Sequence, residues 1–216
     1  MTTKICLTGG PCGGKSSAIP FLTQKLEDQG YSVFTIPEVA TLLAEGGAHH
    51  KEFRQCMELF EIEIVSLQVA MEETFENLAQ VDDKPSVIIC DRGVYDAPAY
   101  VSKETWASLK AGMKWDDDFL LYNRYDIVFH LVTTAIDAED HYTVENNEAR
   151  VETPSESAVL DHKFREVWSK HPNQIIIDNT SDFQYKLEEI WTELSDFLAE
   201  GEATTTTKTE TTEQTI

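Results

Sequence analysis

The sequence predicts an α/β fold: a P-loop NTPase with a doubly wound, mainly parallel five-stranded sheet, flanked by helices and carrying a lid insertion. Three observations predict it. Short apolar runs alternate with stretches of helical periodicity along the chain, as in a parallel sheet whose crossovers are helices. The run PSVIIC at residues 85–90 is apolar almost throughout, as befits a strand buried on both faces. A glycine-rich turn, GGPCGGKS at residues 9–16, joins the first apolar run to the first helical pattern, where a phosphate-binding loop belongs in such a sheet.

The elements follow in order. KICLT (Lys4 to Thr8) is the first strand, and Lys15 to Asp28 the first helix, closed by Gly30. YSVFTIP (Tyr31 to Pro37) is a second strand, expected beside the first, with Glu38 just past its carboxyl end. Val39 to Glu45 and the long stretch Lys51 to Ala79 are helical, the latter with Phe53, Met57, Phe60, Ile64, Leu67 and Met71 as its apolar core stripe. The third strand ends in Asp91-Arg92-Gly93, and short helical patterns fill Tyr95 to Tyr122. DIVFHLV (Asp126 to Val132) is the fourth strand, and Thr133 to Thr153 a polar, acidic excursion. A helix from Ser155 to Ser169, the strand QIIID (Gln174 to Asp178) and an amphipathic helix from Phe183 to Ala199 complete the domain at residue 200. Residues 201–216, GEATTTTKTETTEQTI, are nearly free of apolar residues and read as a disordered tail that burial cannot order.

Length and charge bound the function. At 216 residues, 41% hydrophobic, the chain holds one generous domain of the usual size. Thirty-nine acids face 17 lysines and arginines, a net charge of −22, which argues against passive binding of DNA or RNA. No apolar run reaches the ~18 residues of a membrane span, and the first residues lack the long apolar stretch of a secretory signal, so a cytoplasmic protein is expected. Cys6, Cys12, Cys56 and Cys90 show no paired spacing, against both a disulfide framework and a structural zinc site.

The strongest chemical signal is the match of residues 9–16 to GxxxxGK[ST]. Glycines let backbone N–H groups curl around phosphate, Lys15 reaches the β and γ phosphates, and the Ser16 hydroxyl meets Mg²⁺. Gly10, Pro11, Cys12, Gly13, Gly14, Lys15, Ser16 and Ser17 form the expected nucleotide-binding set. Asp91 and Arg92 stand at the carboxyl edge of the third strand, where open α/β sheets bind ligands. Asp91 is a candidate to hold Mg²⁺ through water or accept a proton; Arg92 is a candidate clamp for the acceptor or the phosphoryl group. The bland alternative is a capping acid with a surface arginine.

Glu38 is a candidate general base for an acceptor hydroxyl, or a first-turn acid favoured by the helix dipole. Asp96 either faces the same cleft or is a solvated acid. In the excursion, Arg150 is a candidate lid arginine for the charge developed during phosphoryl transfer, with Lys163 and Arg165 as weaker versions, against a plain exposed arginine. Asn179 lies at the end of the fifth strand, where the nucleotide base usually rests. Asn179-Thr180-Ser181-Asp182 has the outline of a guanine reader without its lysine, so ATP and GTP both stay open. Cys12 is either an oxidisable thiol at a helix amino end or a small tolerated side chain. Cys90 is read as core, and the histidines, without ligand spacing, as core or surface residues.

TGGPCGGKSS, PEVAT (37–41), DRG (91–93), YTVENNEARVETP (142–154) and IDNT (177–180) together resemble the NadR/TRPL-translocation-defect type of AAA domain, over roughly residues 3 to 200. One branch of that family implies a nicotinamide-riboside kinase. The other implies a GTP-binding trafficking factor that also binds phosphoinositides and carries a C-terminal lipid-related domain, which is not expected here. DRG also resembles the Asp-Arg pair of thymidylate and deoxynucleoside kinases, a similarity that implies an acceptor-positioning role for Arg92 and a lid role for Arg150.

Two functions follow as expectations. The first is a kinase moving the γ-phosphoryl of ATP or GTP, with Mg²⁺, to a hydroxyl of a small nucleoside-like acceptor. The second is a regulatory or trafficking NTPase whose nucleotide state controls a protein or phosphoinositide partner. Glu202, Glu210 and Glu213 against Lys208 leave the tail only −2, so the remainder of the chain carries −20. Such a surface repels polyphosphates except at one concentrated site, and it weakens the lipid alternative.

Overall fold

The computed structural model describes residues 2–136, 153–180 and 182–213, with backbone only for Lys51, Arg54 and 202–213. Its elements are β1 (Thr2–Thr8), α1 (Lys15–Asp28), β2 (Ser32–Ile36), α2 (Val39–Glu45), α3 (Met57–Ala79), β3 (Ser86–Asp91), α4 (Lys103–Met113), β4 (Ile127–Leu131), α5 (Pro154–Trp168), β5 (Gln174–Ile177) and α6 (Phe183–Glu213). Two 3-10 helices, His50–Cys56 and Val94–Ala99, and a π-helical turn, Asp118–Tyr122, lie between them. Residues 1–180 form one compact unit and residues 181–216 a second.

The first unit holds a five-stranded, all-parallel sheet in the order β2-β3-β1-β4-β5. β3, not β2, lies beside β1, contrary to the order expected from the sequence. β3 is buried over Ser86 to Cys90, which suits a strand with neighbours on both edges, whereas β2 is half-exposed over most of its length and forms the edge. The register pairs Cys6 with Cys90, Leu7 with Phe129 and Leu131 with Ile177. All five carboxyl ends therefore meet along one rim. On it stand the loop after Thr8, Glu38, Asp91-Arg92, Thr133 and Asn179.

One face of the sheet contributes Cys6, Ile88, Cys90 and Val128 to a core shared with Val65 and Val69 of α3, Trp106 and Leu109 of α4 and Trp168 of α5. Alternation sends Ile5, Leu7, Ile89 and Phe129 to the other face, and Ala18, Leu22 and Leu26 of α1 are equally buried. α3 departs from expectation. Its most buried residues include Glu61, Gln68 and Glu72 beside Phe60, Val65 and Val69, while Met57, Ile64, Leu67 and Met71 of the expected stripe are only half-buried. Glu72 is wholly buried and accepts from Lys4 Nζ at 3.2 Å, Arg124 Nε at 2.6 Å, the Tyr125 hydroxyl at 2.6 Å and Gln68 Nε2 at 2.7 Å. Two cations and two neutral donors make that buried charge tolerable.

In the second unit, α6 carries Leu187, Ile190, Leu194 and Leu198 along one stripe. Its backbone runs on as helix to Glu213, past the residue-200 boundary drawn from composition and through most of the segment read as disordered. Extending an existing helix fixes one residue per hydrogen bond, whereas starting one is costly. Among the described residues no helix is long and apolar enough to cross a membrane.

Candidate functional site

The phosphate loop is built by backbone conformations that its residues select. Gly9 has φ +124°, and a Cβ there would stand 2.1 Å from the Leu131 carbonyl oxygen, so only glycine lets the loop pass the end of β4. Cys12 takes the left-handed conformation at φ 59° without being glycine, a costly state held by its surroundings. Those surroundings come from the end of β4. The Thr133 hydroxyl donates to the Pro11 carbonyl, and Thr134 N–H donates to the Cys12 carbonyl at 3.4 Å.

Asp161 of α5 fastens the loop a second time. Its Oδ1 accepts from the N–H groups of Gly10 at 2.9 Å and Thr133 at 3.0 Å, and its Oδ2 meets His130 Nε2 at 3.0 Å. Asp161 is fully buried, and these contacts hold its carboxyl below the usual range even though burial, the largest influence, pushes it up. His130 is accordingly a core histidine, and Arg165 approaches Asp161 only at 3.9 Å.

Lys15 begins α1 and is 8% exposed; its ammonium donates to the carbonyls of Gly9 and Gly10 at 3.1 Å each. Burial first, and the nearby Arg92 second, bring its pKa down to about 8. Ser16 and Ser17 follow, exposed in the first turn, where the helix dipole and free N–H groups favour an anion.

Across the loop, Arg92 joins three strand ends. Its own backbone is left-handed, φ 72°. Its Nε donates to Glu38 Oε1 at 2.5 Å, and Nη1 donates to Asp96 Oδ2 at 3.0 Å and to the Gly9 carbonyl at 3.3 Å. The guanidinium lies 5.0 Å from the centre of the Phe164 ring, a cation–π contact. Glu38 also accepts from the Thr41 hydroxyl at 2.7 Å. Burial by itself raises Glu38, yet Arg92, Lys15 and the two hydrogen bonds outweigh it and bring its pKa down to about 2.

Asp96 is 4% exposed and is not the solvated acid of the alternative reading. Its Oδ1 accepts from the Thr8 hydroxyl at 2.5 Å and from Trp168 Nε1 at 2.6 Å, leaving Oδ2 for Arg92. Asp91 differs: its buried Oδ1 has no hydrogen-bond partner, and burial, with Glu38 and Asp96 nearby, raises its pKa against the pull of Lys15 and Arg92. A desolvated acceptor of this kind suits a cation or its bound water.

The remaining candidates stand apart. Asn179 Nδ2 donates to the carbonyls of Thr133 at 2.8 Å and Ile136 at 2.9 Å, holding the loop after β4. Asp178 accepts from Thr180 N–H and hydroxyl, an Asx turn. Lys163 lines a surface hollow with Ser155, Glu156, Val159 and Leu160. Arg150 lies outside the described residues. Sequence reasoning missed Asp161, Thr8, Trp168 and Gln68, whose side-chain amide donates to the Arg92 carbonyl at 3.4 Å. Each sits inside an ordinary strand or helix pattern, and only the three-dimensional register brings it to the rim.

Solved structures share this architecture. A deoxyadenosine kinase from M. mycoides with bound dATP superposes with a TM-score of 0.58 at 16% identity, covering 89% of this chain and 99% of that one. The M. mycoides deoxyadenosine kinase with dCMP and dCDP gives 0.56 at 17% identity, covering 90% and 99%. At such identities the likeness establishes the fold, a kinase-like P-loop sheet. No curated protein matches the sequence. The family comparison matches residues 4–186 to the AAA domain, and with the phosphate loop, the sheet order and most of the chain inside that match, the protein belongs to this AAA domain family of P-loop nucleotide-binding proteins.

Proposed function

We propose that this protein is a Mg²⁺-dependent kinase that transfers the γ-phosphoryl of ATP or GTP to a hydroxyl of a small, nucleoside-like acceptor. The observation that carries the reading is the Glu38–Arg92–Asp96 chain, fixed to the phosphate loop through the Gly9 carbonyl. A regulatory NTPase needs the loop; a carboxylate held across it on an arginine adds a group able to orient an acceptor hydroxyl. Likeness of fold to deoxyadenosine kinase supports the same reading.

In this reading the loop N–H groups and Lys15 hold the triphosphate. Ser16 and Asp91, with its unpartnered oxygen, would hold Mg²⁺, which would supply charge neutralisation at the phosphates. Among the described residues no cluster of three metal-ligating side chains exists, which suits a cation carried mainly by phosphates and water. Glu38 orients the acceptor hydroxyl; as the hydroxyl oxygen bonds to the γ-phosphorus and the bond to the β-γ bridging oxygen breaks, the proton passes to Glu38. A carboxylate with pKa near 2 is a weak base, adequate for a loose transition state in which the proton leaves late. Arg92 holds Glu38 in place, Arg150 supplies the lid charge, and Asn179 shapes the end of the site where the base rests.

Titration calorimetry with ATP and GTP, with and without Mg²⁺, followed by mass-spectrometric screening of ribosides and deoxyribosides, tests the reading. A phosphorylated acceptor is expected. Nucleotide binding without any phosphorylated product overturns the kinase, and absence of nucleotide binding overturns the site.

A further inference from the structure

One buried carboxyl has no role in the site as described. Glu61 is 3% exposed, yet among the described residues it forms no hydrogen bond and no ion pair. It shares the buried face of α3 with Val65, Gln68 and Glu72, and α3 packs on the 3-10 helix Val94–Ala99. The other two polar residues of that face are fully used: Glu72 meets two cations, and Gln68 bridges Glu72 to the Arg92 carbonyl. Glu61 lies two helical turns toward the amino end, about 10 Å from Gln68 along the helix. There the neighbouring Phe60 ring contacts His50, His50 contacts Tyr100, and Tyr100 contacts Phe164 on the ring that carries Arg92. Asp96 and Arg92 are near enough for their charges to act on Glu61, so it stands beside the rim, and a buried acid without a hydrogen-bond partner points to a ligand atom.

We propose that Glu61 is a specificity-determining residue of the acceptor site, donating its carboxyl O–H to a carbonyl oxygen or ring nitrogen of the acceptor. The inference rests on the kinase reading above. Arg92 cannot take over this contact, because Glu38 and Asp96 already engage it. The groups acting on Glu61 are Arg92 and Asp96, with Tyr100 and Glu38 in the same cluster. Burial first, then Asp96, against Arg92, raise its pKa to about 8, so the acid is uncharged and a donor at neutral pH. An acceptor bearing a negative charge on that edge is disfavoured, and an uncharged one that offers a lone pair is preferred.

Three measurements test this. Infrared difference spectra of the unliganded wild type minus Glu61→Gln should show a protonated-carboxyl band at pH 7 that vanishes above about pH 8; its absence at pH 7 overturns the proposal whatever the protein phosphorylates. Thermal unfolding of Glu61→Leu should give an unchanged or higher Tm, since the substitution removes an unpartnered buried polar group; a clear drop assigns Glu61 to the fold. With ATP and Mg²⁺, deoxyadenosine, cytidine and nicotinamide riboside serve as acceptor probes. Glu61→Ala should raise the KM of a working probe about tenfold or more with kcat little changed, while Glu61→Gln, still a donor, keeps most of the wild-type affinity. At saturating ATP the wild-type KM for the acceptor should climb more steeply above pH 8 than that of Glu61→Gln, because Lys15, titrating in the same range, affects both proteins alike. A working probe whose KM ignores Glu61→Ala overturns the role of Glu61 alone, whereas no product from any probe, with the infrared band present, counts against the kinase reading and removes the acceptor role with it.

Discussion

Glu38→Gln separates catalysis from binding. The substitution keeps the size of the side chain and removes the charge facing Arg92 at 2.5 Å. A carboxyl brought from 4.5 to about 2 corresponds to about 3 kcal/mol of interaction with the charged form. Asp96 remains on Arg92 and the Glu38 side chain is 23% exposed, so about 1–3 kcal/mol of stability at neutral pH is the expected loss. At about 2–4 °C per kcal/mol for a chain of this size, Tm should fall by roughly 2–12 °C. The sign with pH follows from the lowered pKa. The contribution of Glu38 is complete above about 4.5 and disappears as pH falls toward 2, so the stability gap between wild type and Glu38→Gln should close over that window. Acceptor-dependent kcat should fall about 10²–10⁴-fold if Glu38 receives the proton, while the Kd for nucleotide with Mg²⁺ stays within about threefold. Coupled ADP release, calorimetry and thermal melts from pH 3 to pH 8 provide the readouts. Near-wild-type kcat in Glu38→Gln refutes the general-base role, and a stability gap that persists unchanged at low pH refutes the ion-pair argument.

Other sites give independent tests. Lys15→Ala should abolish detectable nucleotide binding by calorimetry, and in the wild type affinity should weaken as pH rises past about 8, where the buried ammonium of the free protein loses its proton. Gly9→Ala places a Cβ 2.1 Å from the Leu131 carbonyl oxygen in a left-handed residue; a Tm loss worth about 2 kcal/mol or more, or failure to fold, is expected in thermal melts. Asp161→Ala strips partners from the buried Gly10 and Thr133 N–H groups and from His130, costing about 3 kcal/mol in urea unfolding and loosening nucleotide binding, with Asp161→Asn milder because its carbonyl can still accept both N–H groups.

What was legible in the sequence was whatever depends on neighbours in the chain. Residues 9–16 read as a phosphate loop because four positions at fixed spacing, Gly9, Gly14, Lys15 and Ser16, match GxxxxGK[ST] at once. The ends of β2 and β3 were readable as positions for Glu38 and Arg92, since apolar runs mark where strands stop. Strand order was not, because any buried run can occupy the centre of a parallel sheet; β3 beside β1 is what brings Arg92 next to the loop while Glu38 reaches it from the edge. Hydrophobic periodicity placed α3 but misjudged its inner face. Glu61, Gln68 and Glu72 are polar residues turned inward to serve the rim and its core network, so a search for an apolar stripe passes over them. Asp161 was hidden for the same reason, as one acid on an amphipathic helix.

The net charge of −22 acquires a sharper meaning at the rim. Arg92 is held by two carboxylates, Glu38 and Asp96, and its positive charge is spent locally. Asp91 adds another acid beside Lys15. Among the described residues, then, the cationic contribution to the phosphates rests on Lys15, the backbone N–H groups and the amino end of α1, against three nearby acids. A site so balanced repels a bare triphosphate and accepts one that brings its own cation. Nucleotide affinity should therefore collapse on chelation of Mg²⁺. Arg92 is better suited to holding Glu38 against an acceptor than to gripping phosphate, while burial, helped by Asp96, raises the pKa of Glu61.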